Sequence, residues 1–365
     1  MIPISQPLVG DLEKSLVMQA MESGWISSKG EFLDQFEARF ADFCGVKHCV
    51  STSNGTVALH LALVTAGIGP GDEVLVPDLT FAATANVVLM TGAKPVYVDV
   101  TDDSWCMDVE SARAKITANT RAIIPVHLYG QVSDVAALMC LAEQHNLFIL
   151  EDAAEAHGAR QGDRRVGSLG HCGAFSFFGN KIVTTGEGGC LTTNCDETAA
   201  KARRLRDHGM DTERRYWHAE MGYNYRMTNL QAALGVAQMQ QFSEIESRRR
   251  RIHELYQEMF SNLNLKMNSL TGVEGYSPVN WLTCVRIPGI SRDHRDQLIE
   301  ALRDAGVETR PFFYPLTSMP AYKGESQSRS AKISQEGVCL PTFTELTDDQ
   351  VRYVGESFTR LLNGL

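Results

Sequence analysis

Phe175-Ser176-Phe177-Phe178-Gly179-Asn180-Lys181, continuing through Thr184-Thr185-Gly186-Glu187-Gly188-Gly189, is the stretch around which this 365-residue chain is organised. Its lysine follows a short aromatic run that is typical of a buried strand, and it precedes a glycine-rich turn. Burial favours the neutral form of an amine, and a neutral amine is a nucleophile. The stretch therefore predicts a reactive Lys181 at a strand end, although a surface lysine is the simpler interpretation of this segment alone.

A carboxylate stands at a second predicted strand end, in Glu151-Asp152-Ala153-Ala154-Glu155. This segment ends the apolar run 147–150, and open α/β sheets bind their ligands at the carboxyl ends of strands. Pyridoxal phosphate (PLP) needs an amine to attach its aldehyde and an acid opposite its pyridine nitrogen to keep the ring electron-poor. Asp152 alone is equally consistent with a helix cap, so the PLP hypothesis depends on Asp152 and Lys181 together.

A phosphate site is predicted where Cys49-Val50-Ser51-Thr52-Ser53-Asn54-Gly55-Thr56 leads into a helical pattern. A strand, a small polar turn and a helix start expose backbone N–H groups at the positive end of the helix, where phosphate binds readily. A simple helix cap by Asn54 or Thr56 is an equally good interpretation. The glycine-rich segment 67–72 follows a helix and precedes a strand, the reverse of a dinucleotide-binding turn, so a nicotinamide enzyme is disfavoured.

Composition argues against several other classes of function. The chain is 44% hydrophobic and 21% charged, and its net charge of -10 gives no support for a nucleic-acid or anionic-membrane partner. The nine cysteines form no C-x-x-C pair and the ten histidines no H-E-x-x-H pair, so we predict no metal site. An odd number of scattered cysteines fits reduced thiols, and no segment has the pattern of a signal peptide or a membrane span. We expect a cytoplasmic protein.

The order of the hydrophobic patterns predicts the fold class. Strand-like runs alternate with helical patterns over most of the first 206 residues, which indicates an α/β fold with a mostly parallel central sheet covered on both faces. We predict a large α/β domain over residues 1–240 and a smaller C-terminal α+β domain over residues 241–365. A long helix at about 228–260 is expected to bridge the two, and segment 324–332 is predicted to be a polar loop.

An aromatic stripe marks one predicted helix. Phe32, Phe36, Phe40 and Phe43 recur at helical spacing on one face. Such a stripe belongs to a core far more often than to a ligand surface, so we expect these rings to pack inside the large domain.

Five short motifs follow one another between residues 53 and 229, within a resemblance that covers essentially the whole chain. They are Ser53-Asn54-Gly55-Thr56, Glu151-Asp152-Ala153-Ala154-Glu155-Ala156-His157-Gly158, Ser176-Phe177-Phe178-Gly179-Asn180-Lys181, Thr185-Gly186-Glu187-Gly188-Gly189 and Gly222-Tyr223-Asn224-Tyr225-Arg226-Met227-Thr228-Asn229. Together they resemble the DegT/DnrJ/EryC1/StrS family of sugar aminotransferases. The resemblance implies a fold-type I PLP-dependent transferase, like aspartate aminotransferase, with PLP as its cofactor.

The resemblance also implies roles for three residues at the predicted strand ends. Lys181 would hold PLP covalently and, once released, carry a proton between two carbons, the work of a tethered base. Asp152 would face the pyridine nitrogen. Glu155 departs from the family, which commonly has Gln or His at that place. We expect it near the 3′ oxygen of the cofactor, where one of the two groups must carry the proton.

Further contacts implied by the resemblance are more peripheral. The phosphate is expected to be bound by Gly55, Thr56 and Ser176, together with Asn224 from the partner subunit, and Phe81 is expected to stack on the cofactor ring. Looser candidates for substrate contacts, each equally consistent with a structural role, are His127, Arg226, Arg310 and Tyr314.

The implied reaction takes nitrogen from L-glutamate and adds it at C4 of a nucleotide-linked 4-keto-6-deoxy sugar. GDP is the preferred nucleotide, with dTDP and UDP left open. Because Asn224 is expected to act in trans, we predict at least a homodimer, with sites at the subunit interface. Related PLP-dependent sugar dehydratases replace the reactive lysine with histidine, so Lys181 favours transamination. A non-catalytic regulator or sugar-binding module of the same fold is the rival from another class.

Overall fold

Helices and strands alternate along the computed structural model, which describes residues 1–211, 213–268 and 275–364. Within these residues the α-helices are α1 (Asp11–Glu22), α2 (Glu31–Cys44), α3 (Gly55–Thr65), α4 (Ala83–Met90), α5 (Val109–Ala114), α6 (Val135–His145), α7 (Asp196–Arg206), α8 (Asn229–Gln240), α9 (Phe242–Phe260), α10 (Arg292–Asp304), α11 (Ser328–Glu336) and α12 (Asp348–Leu362). The strands are β1 (His48–Thr52), β2 (Glu73–Pro77), β3 (Lys94–Val98), β4 (Thr120–Ile123), β5 (Phe148–Asp152), β6 (Arg160–Gln161), β7 (Arg164–Arg165), β8 (Cys172–Ser176), β9 (Gly189–Thr193), β10 (Lys266–Met267), β11 (Tyr276–Ser277), β12 (Thr283–Arg286), β13 (Arg310–Pro311) and β14 (Gly337–Leu340).

In the described residues the central sheet has seven strands, in the order β1-β9-β8-β5-β4-β2-β3. All of them run parallel except β9, which is antiparallel to both of its neighbours. Both faces are covered, because Val74 and Val76 of β2 pack into one hydrophobic cluster and Leu75, which points the other way, packs into another. The predicted α/β fold with a mostly parallel sheet is confirmed. The carboxyl ends of β5 and β8 lie side by side.

The aromatic stripe of α2 packs against the stretch that leads to the reactive lysine. Phe36 and Phe40 are fully buried, as predicted. The ring of Phe40 makes edge contacts with Phe175 at 4.9 Å and with Phe177 at 5.0 Å between centroids. Burying one phenylalanine stabilises a fold by about 1.5–3 kcal/mol, so this cluster holds β8 and the start of the turn that carries Lys181.

A second, smaller sheet has its own core. Its strand order is β10-β12-β14-β13, antiparallel throughout, and α9, α10 and α12 pack around it in a separate cluster. Ile2 also lies here, because its N–H donates to Gly306 O at 2.7 Å and its carbonyl accepts from Glu308 N at 2.9 Å. We call this sheet and the helices around it the smaller unit. The predicted domain division at residue 240 stays a prediction, but Ile2, which it assigns to the large domain, packs on the smaller unit.

The continuous helix expected at about 228–260 is instead two helices. Helix α8 ends at Gln240 and α9 begins at Phe242, with Gln241 between them in a non-helical conformation. The side chain of Gln241 donates through Nε2 to Oε1 of the buried Glu13 at 2.6 Å. The buried carboxylate of α1 thus binds Gln241 at the break between α8 and α9. The sequence pattern of residues 228–260 gives no sign of this contact, because its other partner lies in α1.

The predicted polar loop at 324–332 is partly wrong, since α11 begins at Ser328. The carboxylate of Asp99, which follows β3, supplies the missing cap. Its Oδ1 accepts from the backbone N–H of Ser330 at 2.9 Å and from the Ser330 hydroxyl at 2.8 Å. A carboxylate that accepts from the first-turn N–H groups stabilises a helix start. Here the carboxylate belongs to a residue more than 200 positions earlier in the chain.

Candidate active site

Lys181 lies in the turn that follows β8, at the carboxyl edge of the central sheet. The turn is closed by a hydrogen bond from Phe177 N to Gly188 O of 2.8 Å. Lys181 Nζ lies 3.6 Å from Glu155 Oε1, and the lysine side chain is only 12% exposed. Burial lowers the pKa of Lys181, while the carboxylates of Glu155 and Asp152 oppose that change. The lysine therefore has the partial burial that makes its neutral, nucleophilic form accessible.

Asp152 ends β5 and is buried. Its Oδ2 accepts from Thr84 Oγ1 at 2.7 Å, and its Oδ1 accepts from the Ala154 backbone N–H at 3.2 Å. Burial raises the pKa of Asp152, while these two hydrogen bonds and the nearby Lys181 oppose the rise. A buried carboxylate is stable only when it is paired and hydrogen-bonded. A protonated pyridine nitrogen is a partner that suits this group.

Glu155 is the third buried group of the cluster. Its Oε2 accepts from the Tyr129 backbone N–H at 2.8 Å, and its Oε1 faces Lys181. Burial raises the pKa of Glu155 to about 7, against the lowering effect of Lys181. Glu155 therefore exchanges a proton near neutral pH. Its expected proton sharing with the 3′ oxygen of a cofactor stays a prediction.

Glu155→Gln is expected to change how the stability of the cofactor-free protein depends on pH. A carboxyl whose pKa is 4.5 unfolded and about 7 folded stabilises the fold in its protonated form. That contribution is fully present below pH 4.5 and is lost as the pH rises through 7, a change of about 3 kcal/mol in the free energy of unfolding. Glutamine keeps the shape and does not titrate, so the variant should lose this part of the slope. Urea unfolding between pH 4.5 and 8 measures it, and parallel curves for the two proteins would contradict the raised pKa.

Gly55 and Ser176 form a narrow cradle at the start of α3. Asn54 does cap the helix, because its Oδ1 accepts from Val57 N at 3.0 Å. The N–H groups of the first turn, where Thr56 lies, have no partner within the helix. A methyl group on Gly55 would lie 2.7 Å from Cβ of Ser176, so the strand approaches the helix end as closely as only glycine permits. The N–H groups of a helix start beside a serine hydroxyl suit a phosphate.

Gly55→Ala is expected to weaken cofactor binding and to lower the free energy of unfolding by about 1–3 kcal/mol, because the added methyl group overlaps Ser176. The matched control is Gly69→Ala, since a methyl group there meets nothing closer than the Thr91 carbonyl at 3.8 Å. Thermal unfolding and titration with PLP measure the two effects. Equal stability and equal PLP affinity in the two variants would contradict the cradle.

Phe81 and Asn224 are exposed at the surface of the single chain. Phe81 is 58% exposed, and its carbonyl oxygen accepts at 3.4 Å from the backbone N–H of Thr84, whose hydroxyl binds Asp152. The side-chain oxygen of Asn224 accepts from Arg226 Nη2 at 2.9 Å. Arg226 also forms an ion pair of 2.8 Å with Asp207, so its guanidinium binds its own loop. The expected stacking by Phe81 and the phosphate contact by Asn224 stay predictions.

Arg310 and Tyr314 flank a segment that reaches the site. Arg310 pairs with Glu308 at 3.1 Å, and the Tyr314 ring lies 5.6 Å from the guanidinium carbon of Arg292. Between them, the backbone N–H of Phe313 donates to a buried tyrosine hydroxyl next to the cluster. The two predicted substrate contacts therefore stay predictions, and the segment that carries them lies at the edge of the site.

His127 is buried in a way that the substrate hypothesis does not allow for. Its backbone N–H donates to Asp152 O at 3.0 Å, but its ring is completely buried. Nδ1 accepts from Ser133 N at 3.2 Å, which leaves the proton on Nε2 to be donated to Glu151 Oε2 at 3.0 Å. Both ring nitrogens are thus in use. A direct substrate contact by this ring is not supported, and its role here is to position Glu151.

Three residues of the site were missed by sequence reasoning. Thr84 orients Asp152, and Tyr129 binds Glu155 through its backbone. Tyr129 has a φ of 53°, which is uncommon for a residue other than glycine and typical of strained functional sites. The ring centre of Trp281 lies 4.0 Å from Lys181 Nζ. Of these three residues, Thr84 alone had a local signal in the sequence, because it is a hydroxyl residue near the start of a predicted helix.

The fold and the cluster together define a class of protein. An amine for an aldehyde, a buried acid for a ring nitrogen and the N–H groups of a helix start for a phosphate, on one edge of a mostly parallel sheet, are what a PLP-dependent enzyme of fold type I requires. The residues present fit that cofactor. A family model described as the DegT/DnrJ/EryC1/StrS aminotransferase family matches residues 8–359. The chain belongs to this family and is a PLP-dependent aminotransferase.

Several known proteins resemble the chain over nearly their whole length. The GDP-perosamine synthase of Caulobacter vibrioides is 45% identical over 369 residues, which cover 99% of this chain and 98% of that protein. The GDP-perosamine synthase of Escherichia coli O157:H7 is 41% identical, with 98% and 97% covered. Among solved structures, the putative sugar aminotransferase Spr1654 from Streptococcus pneumoniae in its PMP form superimposes with a TM-score of 0.95 at 28% identity, with both chains fully covered.

Proposed function

We propose that this enzyme transfers an amino group from L-glutamate to C4 of GDP-4-keto-6-deoxymannose, forming GDP-perosamine for a surface polysaccharide such as an O-antigen. One observation carries the amino-transfer chemistry: Lys181 lies 3.6 Å from Glu155, with the buried Asp152 at the end of the adjacent strand. The choice of sugar and nucleotide is supported by the likeness to the two synthases described above. A dTDP- or UDP-linked keto sugar is the alternative acceptor.

Each residue of the cluster has a distinct task in this proposal. Bound PLP supplies the electron sink for the reaction. Lys181 attaches the cofactor and, after its release, moves a proton between the two carbons that flank the transferred nitrogen, because a tethered amine acts at high effective concentration. Asp152 holds the proton of the pyridine nitrogen. Glu155, with a pKa of about 7, holds or releases one proton beside Lys181.

Related dehydratases of this fold carry histidine where this chain has Lys181, which favours transamination here. A transaminase returns to its starting form by reversing the steps of its first half-reaction, since the donor and the acceptor use one site in turn. The proposal therefore includes alternating half-reactions, first with L-glutamate and then with the keto sugar, both of them served by the same lysine.

A panel of keto-sugar nucleotides with L-glutamate, followed by mass spectrometry, tests the proposed acceptor. We expect the GDP-linked 4-keto-6-deoxy sugar to gain one amino group in place of its carbonyl oxygen, and the dTDP- and UDP-linked sugars to react much more slowly. Amination of only a dTDP- or UDP-linked sugar would contradict the GDP assignment and leave the aminotransferase class intact. Amination of none of them would contradict the proposed function.

The proposal also includes a homodimer in which Asn224 reaches the phosphate site of the partner subunit. The exposure of Asn224 and of Phe81 in the single chain supports it. Mixing the variants Lys181→Ala and Asn224→Ala tests the assignment, because a mixed dimer joins an intact Lys181 to an intact Asn224 in one site. We expect activity well above that of either variant alone. A mixture no more active than its components would contradict a contact in trans.

We further propose that the enzyme acts in the cytoplasm. The support comes from the sequence, in which nine scattered cysteines fit a reducing compartment. Among the helices of the described ranges, none combines the length and the apolar character needed to cross a bilayer.

A further inference from the structure

Trp281 joins the smaller unit to the turn that carries Lys181. The residue precedes β12, is 4% exposed, and donates through its indole N–H to the Asn180 carbonyl oxygen at 2.7 Å. Its own carbonyl oxygen accepts from Nη1 of the buried Arg249 at 2.8 Å. Side chain and backbone are thus fixed from two sides, and one of the anchors is the residue adjacent to the lysine.

The ring of Trp281 lies against the lysine amine itself. Lys181 Nζ is 4.0 Å from the ring centre, well within the distance at which an aromatic face attracts a cation. The titratable groups that face the amine from the other elements are Glu155 at 3.6 Å, Asp152, and the buried His157, whose pKa is lowered to about 3 by burial. The ring of Trp281 does not titrate, so it stabilises the ammonium without exchanging a proton.

Further aromatic rings fix the plane of this one. Trp281 stacks on Tyr129 at 6.1 Å and 14°, and Tyr129 stacks on Phe313 at 5.2 Å and 20°. Phe313 lies 5.8 Å from Phe81, the residue expected to stack on the cofactor. We call these four rings the aromatic row. The row leads from Lys181 to the predicted position of the cofactor ring and alternates between the smaller unit and the larger one.

We propose that Trp281 is a positioning residue for Lys181, whose ring receives the ε-ammonium group whenever the lysine is not bonded to the cofactor. The proposal rests on the proposed function, in which Lys181 is freed in the glutamate half-reaction and is recaptured by the cofactor only at the end of the sugar half-reaction. A free lysine has many rotamers, and each one that points away from the reacting carbons delays the proton transfer. Contact with Trp281 restricts the amine to one place beside Glu155.

The test measures the pKa of Lys181 in the full-length, cofactor-free protein. Competitive acetylation over a range of pH, followed by mass spectrometry of the peptide that carries Lys181, gives the pH at which the amine is half reactive. Trp281→Leu removes the ring, which stabilises the charged form, so we expect that pH to fall by about one unit. Trp281→Phe keeps a smaller ring, so we expect a smaller but measurable fall, about a third to a half of that size. Trp105→Leu removes another buried tryptophan and is expected to leave the value unchanged.

The outcomes separate this inference from the proposed function, because labelling needs no activity. An unchanged pH of half reaction in both Trp281 variants overturns the positioning role, whether or not the enzyme transaminates. If Trp281→Leu does not fold, Trp281→Phe decides, and a value equal to the wild type overturns the role. In the holoenzyme we expect Trp281→Leu to lower kcat for the glutamate half-reaction about tenfold with KM little changed. A rise of KM at constant kcat overturns the role, since it would place Trp281 in substrate binding.

Discussion

Lys181→Ala is expected to abolish transamination, with a loss of at least about 10³–10⁴-fold, because the variant lacks both the group that attaches the cofactor and the base that moves the proton. Lys181→Arg should lose as much. It keeps the positive charge beside Glu155, but a guanidinium does not deprotonate and does not act as a nucleophile. The glutamate half-reaction, followed by the change in visible absorbance of the bound cofactor, measures both variants.

The comparison between these variants separates chemistry from charge. The matched control is Lys47→Ala, which removes an exposed lysine that forms an ion pair with the exposed Asp196 and should keep the wild-type rate. If Lys181→Arg retained activity, the positive charge of the side chain would matter and its nucleophilicity would not. Turnover that survived in Lys181→Ala would remove the residue from the mechanism altogether.

Asp152→Asn is expected to lower kcat by about 10–100-fold. Asparagine has the same shape and can keep the hydrogen bond from Thr84, but it has no charge with which to hold a proton on the pyridine nitrogen. A hydrogen bond to a charged group contributes about 1.5–3 kcal/mol, which sets the size of the loss. Steady-state kinetics with L-glutamate, together with titration of cofactor affinity, measure the effect.

Thr84→Val provides the graded control for this prediction. It removes the 2.7 Å hydrogen bond to Asp152 and leaves the carboxylate in place, so a loss of less than about tenfold is expected. Asp152→Asn at the wild-type rate would contradict an electron sink maintained by this acid. A larger loss in Thr84→Val than in Asp152→Asn would show that packing of α4, not charge, is what the site requires.

The parts of the site that sequence predicted are those that local patterns encode. Asp152 follows an apolar run and Lys181 follows an aromatic one, and the carboxyl ends of adjacent parallel strands necessarily lie side by side. The junction of a strand and a helix predicted a phosphate site at residues 49–56, where Gly55 lies. In each case, two or three neighbouring residues are enough to place the side chain on one edge of the sheet.

The rest depends on contacts between distant parts of the chain. Trp281 approaches Lys181 across 100 residues of sequence, and neither local pattern indicates the other. Glu13 binds Gln241 at the break between α8 and α9, and Asp99 caps α11 from more than 200 residues away. Hydrophobic periodicity shows which face of an element is buried, but not which distant polar group will end that element.

His127 shows the same limit for a predicted site residue. It was one of the looser candidates for a substrate contact, and its backbone N–H donates to Asp152 O. Whether a ring faces the substrate or the interior is decided by the partners that bury it, here Glu151 and Ser133. Sequence spacing carries no information on that choice, because both orientations keep the backbone in the same place.

Borohydride reduction of the PLP-loaded enzyme, followed by peptide mass spectrometry, tests the central claim most directly. Reduction makes the bond between the cofactor and its lysine permanent, so the modified peptide identifies the residue. The account predicts that the peptide containing Lys181 carries the added mass of the reduced cofactor and that L-glutamate, added before reduction, removes the label. A label on any other lysine, or a fully loaded enzyme that acquires none, would contradict it.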